Sequence, residues 1–169
     1  MAKNSVRRLA TSRRKQWQNL LQNSAANTVS GKTKSLVVLI DTNIWYSAIL
    51  YGGRPEEAVK FCINNTNTAI SPYIINEIRV NLKNNANAPY KWLNALEKHL
   101  KQLCLNIDVD IIPIQTRDPK DDSVIATALL GECNYLITGD DDLLSLKMVD
   151  NLQIVTVNEF LMLVEKPKW

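Results

Sequence analysis

Short apolar runs alternate with longer amphipathic segments along most of the chain. The first run, residues 36–40, contains only apolar side chains, as expected of a strand covered on both faces of a parallel sheet. Four further segments have the length and composition of strands, at 68–71, 109–114, 135–138 and 153–157. This alternation of short strands and helices is typical of an α/β fold.

Residues that favour helix ends bound the segments between these strands. Pro55 and Pro72 suit the first turn of a helix, and Gly52 and Gly53 suit the end of the preceding one. We therefore predict helices over 43–51, 55–64, 72–82, 89–104 and 121–130, a short helix after 138, and a last helix around 160–163.

The composition is that of one domain. The chain has 169 residues, 46% of them hydrophobic, which is enough for one ordinary core. No apolar run approaches the roughly 20 residues of a membrane span, and the N-terminus lacks the apolar centre of a secretory signal. The three cysteines fit neither a disulfide framework nor a zinc site. We expect a cytoplasmic protein with no membrane partner.

The charge is distributed unevenly along the chain. Residues 1–40 carry eight Lys or Arg and no acid, although the formal net charge is only +3. Residues 4–23 show weak helical periodicity, so we expect a basic N-terminal extension at 1–35, partly helical or flexible, before a domain at 36–165 and a tail at 166–169. The extension could attract a polyanion, be a solvated tail, or be an organelle transit peptide.

Acidic residues recur beyond the predicted strands. Asp41 ends the first apolar run, Asp140 and Asp142 follow the strand at 135–138, and Glu77 lies on the helix after 68–71. In a parallel sheet, ligands bind beyond the carboxyl ends of the strands. Because gathered carboxylates repel one another, such a fold usually also supplies a hard divalent cation. The matching chemistry is phosphoryl transfer on nucleic acid.

Four segments, in order, resemble the motifs of PIN-domain ribonucleases. They are Leu-Ile-Asp-Thr-Asn at 39–43, Ser-Pro-Tyr-Ile-Ile-Asn-Glu-Ile at 71–78, Arg-Asp-Pro-Lys-Asp-Asp-Ser-Val-Ile-Ala at 117–126, and Thr-Gly-Asp-Asp-Asp-Leu at 138–143. Each motif alone is weak, whereas four in order are specific. The resemblance covers about residues 36–165. It implies a three-layer α/β/α sandwich with a central, mostly parallel five-stranded sheet.

The resemblance also implies roles for individual residues. Asp41, Glu77, Asp122 and Asp140 would be catalytic and bind Mg²⁺ or Mn²⁺, with Asp142 taking or sharing the last position. Hydroxyl and amide groups would support them, from Thr42, Asn43, Ser71 and Thr138. Simpler interpretations stay open: Asp41 could be a helix N-cap, Glu77 a surface residue near a helix start, and Asp121 a solvated cap.

Substrate contacts are harder to assign from the sequence. Phosphate contacts could come from Arg79, Arg117, Lys120 and Arg54, although each could equally be a solvated charge. Trp45 and Tyr46 could stack on a base, but core packing suits them as well. His99 is the only histidine, which excludes a two-histidine ribonuclease mechanism. Its helical spacing from Trp92 and Leu96 favours a structural role.

The function that the resemblance implies is a metal-dependent endoribonuclease, similar to VapC-type toxins of toxin–antitoxin pairs. An RNA substrate, an antitoxin protein and a second copy of the chain would be its partners. Two alternatives stay open, a housekeeping RNA-processing nuclease and a non-catalytic RNA-binding module. The basic extension fits the housekeeping nuclease better than it fits a compact toxin.

Overall fold

The computed structural model describes residues 2–27, 35–109 and 119–165. The helices are α1 (Ala2–Asn27), α2 (Thr42–Leu50), α3 (Gly53–Asn65), α4 (Pro72–Ala86), α5 (Tyr90–Leu103), α6 (Pro119–Leu130), α7 (Asp141–Leu146) and α8 (Val157–Glu165). The strands are β1 (Val37–Ile40), β2 (Asn67–Ile70), β3 (Leu105–Asn106), β4 (Tyr135–Ile137), β5 (Met148–Val149) and β6 (Leu152–Val155).

The strands form one sheet in the order β3-β2-β1-β4-β6-β5. Every neighbouring pair is parallel except β5 and β6, so the predicted mostly parallel α/β fold is confirmed. The predicted number of five strands is wrong, because the described residues form six. The additional strand β5 is antiparallel to β6, and a turn at Asp150 and Asn151 connects the two strands, with Asp150 at φ 52°. Two residues are too few to show a strand pattern in the sequence.

The strand β3 was not among the predicted strands. The structure has β3 at Leu105–Asn106, beside β2, whereas the sequence predicts a strand at 109–114. Residues 110–114 lie outside the described residues. Leu105 and Asn106 follow α5 directly, and helical periodicity up to residue 104 hides so short a strand.

Helices cover both faces of the sheet. Val38, Leu39 and Ile40 are consecutive and all fully buried, which requires cover on both sides because strand side chains alternate. Phe61 of α3 and Tyr135 of β4 both meet the Phe160 ring of α8 edge-on, at 6.0 and 5.9 Å between centroids. The helix α6 packs against β1 and β2. These contacts give the three-layer arrangement.

The first helix belongs to the same core. Trp17 and Leu21 of α1 are each only 1% exposed, and the Trp17 indole donates a hydrogen bond to the Ala48 carbonyl of α2 at 3.3 Å. The Arg13 guanidinium donates to the Ala48 and Ile49 carbonyls and pairs with Glu56 of α3. The N-terminal extension is therefore helical from residue 2 to 27 and docks on the sheet-containing part of the chain.

Hydrogen bonds and charge together hold Glu56 ionised in this contact. Burial alone would raise the pKa of Glu56, but hydrogen bonds from Lys60 and Arg13 outweigh burial and lower it.

None of the helices within the three described ranges is both long and apolar enough to cross a membrane.

Candidate functional site

The carboxyl ends of the central strands lie level with one another. Ile40 of β1 pairs with Ile137 of β4, and Ile137 pairs with Val155 of β6. The β1–β2 register places Ile70 beside Ile40 in the same way. The next residues along the chain share one edge of the sheet and all carry oxygen side chains: Asp41, Ser71, Thr138 and Thr156.

Asp41 is fixed in place by both of its carboxylate oxygens. It precedes α2 as the N-cap, and its Oδ1 accepts a hydrogen bond from the Thr42 amide at 2.7 Å. Its Oδ2 accepts from the Thr138 hydroxyl, also at 2.7 Å. With 7% of its surface exposed, Asp41 is a buried carboxylate held in one orientation. The capping role and a role at the site are therefore compatible.

The Thr138 hydroxyl links Asp41 to Asp140. While it donates to Asp41, its oxygen accepts a hydrogen bond from the Asp140 amide at 3.1 Å. Asp140 in turn caps α7, and its Oδ1 accepts from the amides of Asp142 and Leu143 at 2.8 and 3.2 Å. Within the described residues, these bonds leave Asp140 Oδ2 without a hydrogen bond. One hydroxyl therefore holds the Asp41 carboxylate and the Asp140 backbone at the same edge.

The two carboxylates also interact through their charges. Burial raises the pKa of Asp41 above its ordinary value, hydrogen bonds from Thr138 and Thr42 act in the opposite direction, and the charge of Asp140 raises it further. A buried acid beside a second acid is an environment that favours either a proton or a cation.

The other predicted acids lie on neighbouring helices. Asp122 is buried in the first turn of α6, and Glu77 is half-buried on the second turn of α4. The Ser71 hydroxyl caps α4 by accepting from the Ile74 amide at 3.3 Å. Across the described parts of the chain, no group of three or more His, Cys, Asp or Glu is arranged to hold a metal ion. The structure thus brings Asp41 and Asp140 together and does not add Glu77 or Asp122 to them as a ligand cluster.

A comparison with protein families identifies this arrangement of motifs. The family model described as PIN domain matches residues 37–142, which is more than half of the chain. The chain belongs to the PIN domain family. No curated protein matches the chain. Membership of this family indicates a nuclease-type function, and Asp41, Glu77, Asp122, Asp140 and Asp142 all lie within the matched segment.

Several predicted site residues of this PIN domain lie at its surface. Asn43 in the first turn of α2 is exposed, as is Asp142 in the first turn of α7. Thr42 is buried, and its amide serves Asp41. Arg117 and Asp118 lie outside the described residues, and so do the side chains of Lys120 and Asp121.

The remaining candidates have structural partners in the PIN domain. Arg79 is ion-paired with Glu97 of α5 at 2.7 Å and donates to Asn94 at 3.0 Å. His99 Nδ1 lies 2.7 Å from the Ala95 carbonyl, in the interface between α5 and α1. Trp45 is fully buried, which supports core packing over base stacking.

The sequence pointed to the Thr138 hydroxyl, but not to its two simultaneous bonds. A threonine two positions before an aspartate at a strand end is the only sequence signal for it. Its partner Asp41 lies 97 positions away, so only the β1–β4 register determines the bond.

Proposed function

We propose that this PIN domain is a metal-dependent endoribonuclease that hydrolyses RNA phosphodiester bonds. The observation that carries the proposal is the pair Asp41 and Asp140, linked at the sheet edge through the Thr138 hydroxyl. On the motif resemblance we assign Glu77 of α4 and Asp122 of α6 to the same acidic set, with Asp142 supplementing Asp140. For Glu77, the β1–β2 register supports this assignment, because α4 starts after β2 at the edge where Asp41 follows β1.

The donor atoms suit Mg²⁺ or Mn²⁺. All are oxygens, and Mg²⁺ needs only one or two carboxylates because it retains several waters. The cysteines Cys62, Cys104 and Cys133 are buried, and His99 lies between α1 and α5, so the described soft ligands are not part of this edge. When bound, such an ion lowers the pKa of a coordinated water and offsets phosphate charge.

The residues of the chain supply orientation. Two hydrogen bonds hold the Asp41 carboxylate in place without a ligand. Binding of a metal ion would therefore cost little conformational entropy of this side chain. Asp140 keeps one oxygen for a ligand while the other caps α7. Thr138 positions the Asp41 carboxylate and the backbone of Asp140 through its hydroxyl.

The test is cleavage of a mixed RNA pool by the purified full-length protein in Mg²⁺, Mn²⁺ or EDTA. We expect cutting in the presence of the metals, none in EDTA, and none by Asp41→Asn. Because Asn retains the capping oxygen, the variant should stay folded, which circular dichroism would verify. Metal-independent cutting, or full activity of folded Asp41→Asn, would contradict the proposal. RNA binding without cutting would favour the non-catalytic module.

We infer further that this nuclease is the toxin of a toxin–antitoxin pair. The motif resemblance at Arg117-Asp118-Pro119 and Thr138-Gly139-Asp140 supports this role. Induced expression should arrest bacterial growth, whereas Asp41→Asn should not, and an antitoxin protein encoded nearby should restore growth. Growth without arrest, with RNA cleavage intact in vitro, would favour a housekeeping RNA-processing nuclease. A homodimer is the expected assembly, and light scattering would determine it.

A further inference from the structure

Three helices that pack against one another carry most of the positive charge. Together α1, α4 and α5 contain eleven Lys or Arg and two Glu, although the whole chain has a net charge of only +3. The two glutamates are Glu77 of the candidate site and Glu97, which pairs with Arg79 and Lys101. The rest of the chain is therefore acidic, so these three helices are the part of the chain that attracts polyanions.

Within the described residues, no ion pair engages Arg14 of α1. Its Nη1 is buried and has no hydrogen-bond partner among the residues that the structure describes, while Nη2 donates to the Thr11 hydroxyl at 2.8 Å. The Trp92 indole of α5 donates to the Arg14 carbonyl at 3.2 Å and fixes this part of α1 beside the first turn of α5. Residues 1–40 contain no acid that could pair with Arg14.

A second group of cations lies around the same turn of α5. The Lys83 ammonium sits 4.4 Å from the centroid of the Tyr90 ring, which is 64% exposed, and Lys91 beside it is exposed. No ion pair within the described residues engages Lys83 or Lys91. Cations next to an exposed aromatic ring are the combination with which proteins bind single-stranded nucleic acid, by phosphate contact and base stacking.

We propose that the α1–α5 surface, formed by Arg14, Lys83, Tyr90 and Lys91, binds the backbone of single-stranded RNA outside the acidic site. Helix α4 connects the two places, since it begins after Ser71 at the site edge and reaches Lys83 in its last turn. That separation along the helix is roughly 18 Å, which one RNA strand can span. The choice of RNA rests on the proposed nuclease function.

Binding of a fluorescent 20-nucleotide RNA to the full-length protein tests this surface. Fluorescence anisotropy is measured at several salt concentrations in EDTA, which removes the metal. Without metal the acidic site repels the RNA, so the α1–α5 surface accounts for most of the binding. The test variant is Arg14→Gln with Lys91→Gln, and neither change breaks an ion pair in the described part of the chain. The control is Lys60→Gln with Lys147→Asn, an equal loss of charge outside the three helices; Asn tolerates the positive φ of Lys147. The Lys60 change removes one of the two cations paired with Glu56, while Arg13 keeps Glu56 paired, and a thermal melt of the control verifies that α1 stays docked.

We expect the test variant to bind about 10-fold more weakly and to lower the slope of log Kd against log salt by about 1.4, or 0.7 for each lost phosphate contact. The control should retain the wild-type slope. Equal slopes for the two double variants would overturn the proposal, as would weakened binding to poly-glutamate or anionic vesicles with unchanged binding to RNA.

Cleavage distinguishes the failure of this surface from the failure of the nuclease function. If the wild type cuts RNA but the test variant binds it normally, the surface proposal is wrong and the nuclease function stands. If the test variant loses RNA binding and the wild type cuts nothing, the surface stands and the nuclease function fails.

Discussion

At the sheet edge, the aspartates Asp41 and Asp140 each combine a helix-capping role with a second role. Asp41 caps α2 with one oxygen and accepts from Thr138 with the other. Asp140 caps α7 in a similar way and keeps one oxygen outside the cap within the described residues. A carboxylate fixed at the end of a strand can serve both as a helix cap and as a ligand for a cation. The sequence therefore predicts such residues without separating the two roles.

Removal of the Thr138 hydroxyl should disturb both acids. Thr138→Val keeps the volume but leaves Asp41 Oδ2 and the Asp140 amide without their partner, which costs about 1–3 kcal/mol of folding free energy. Cleavage should fall roughly 10- to 100-fold, as is usual for residues that orient metal ligands. Thr138→Ser, which keeps the hydroxyl, should restore most of both. Rate measurements and denaturation of the two variants check this, and equal activity of Val and Ser variants would contradict it.

Asp41 should destabilise the metal-free fold above mildly acidic pH. A folded-state pKa above the ordinary value means that the native state loses stability as Asp41 ionises with rising pH. Asp41→Asn should therefore raise Tm in EDTA at pH 7, by roughly 2–4 °C for each 1 kcal/mol gained. The difference should disappear below the ordinary Asp pKa, where Asp41 is neutral in both states. Thermal melts from pH 3 to 8 measure it; a lower Tm for Asp41→Asn at pH 7 would contradict the account.

The elements with a strong periodic pattern were predictable and the short or remote ones were not. The strand β1 and the helices α4 and α5 follow from apolar runs, proline at helix starts and a regular apolar face. The strand β5 is two residues long and carries no pattern. Helix α1 has only weak periodicity, and its docking depends on partners far away in sequence, such as Ala48 and Glu56.

The packing of α1 makes a testable prediction for stability. Trp17 is buried against α2, so Trp17→Ala should cost about 3–5 kcal/mol in urea denaturation. Gln22→Ala, an exposed position on the same helix, should stay within about 0.5 kcal/mol of the wild type. Equal stability of the two variants would mean that α1 does not belong to the core.

Over the whole molecule, the parallel sheet determines which distant residues meet. Asp41 and Asp140 were predictable neighbours because each follows an apolar strand, and parallel strands end at one edge. The sequence cannot determine how close Glu77 and Asp122 come, since helix orientation depends on tertiary packing. The PIN domain match covers the edge, whereas α1 and its basic side chains precede the match. The chain thus combines a family scaffold with an additional basic helix.

The most direct test compares two aspartates at opposite ends of the sheet. Asp140 lies at the carboxyl end of β4, and Asp150 lies in the turn before β6, at the other end. Either residue can become Asn without loss of its local conformation, as a helix cap or at positive φ. For Asp140→Asn, the rate of cleavage of labelled RNA in Mg²⁺ should fall by at least roughly 10- to 100-fold, as expected when a metal site is disturbed. Asp150→Asn should cut like the wild type. Equal rates for the two variants would contradict an active site at this edge.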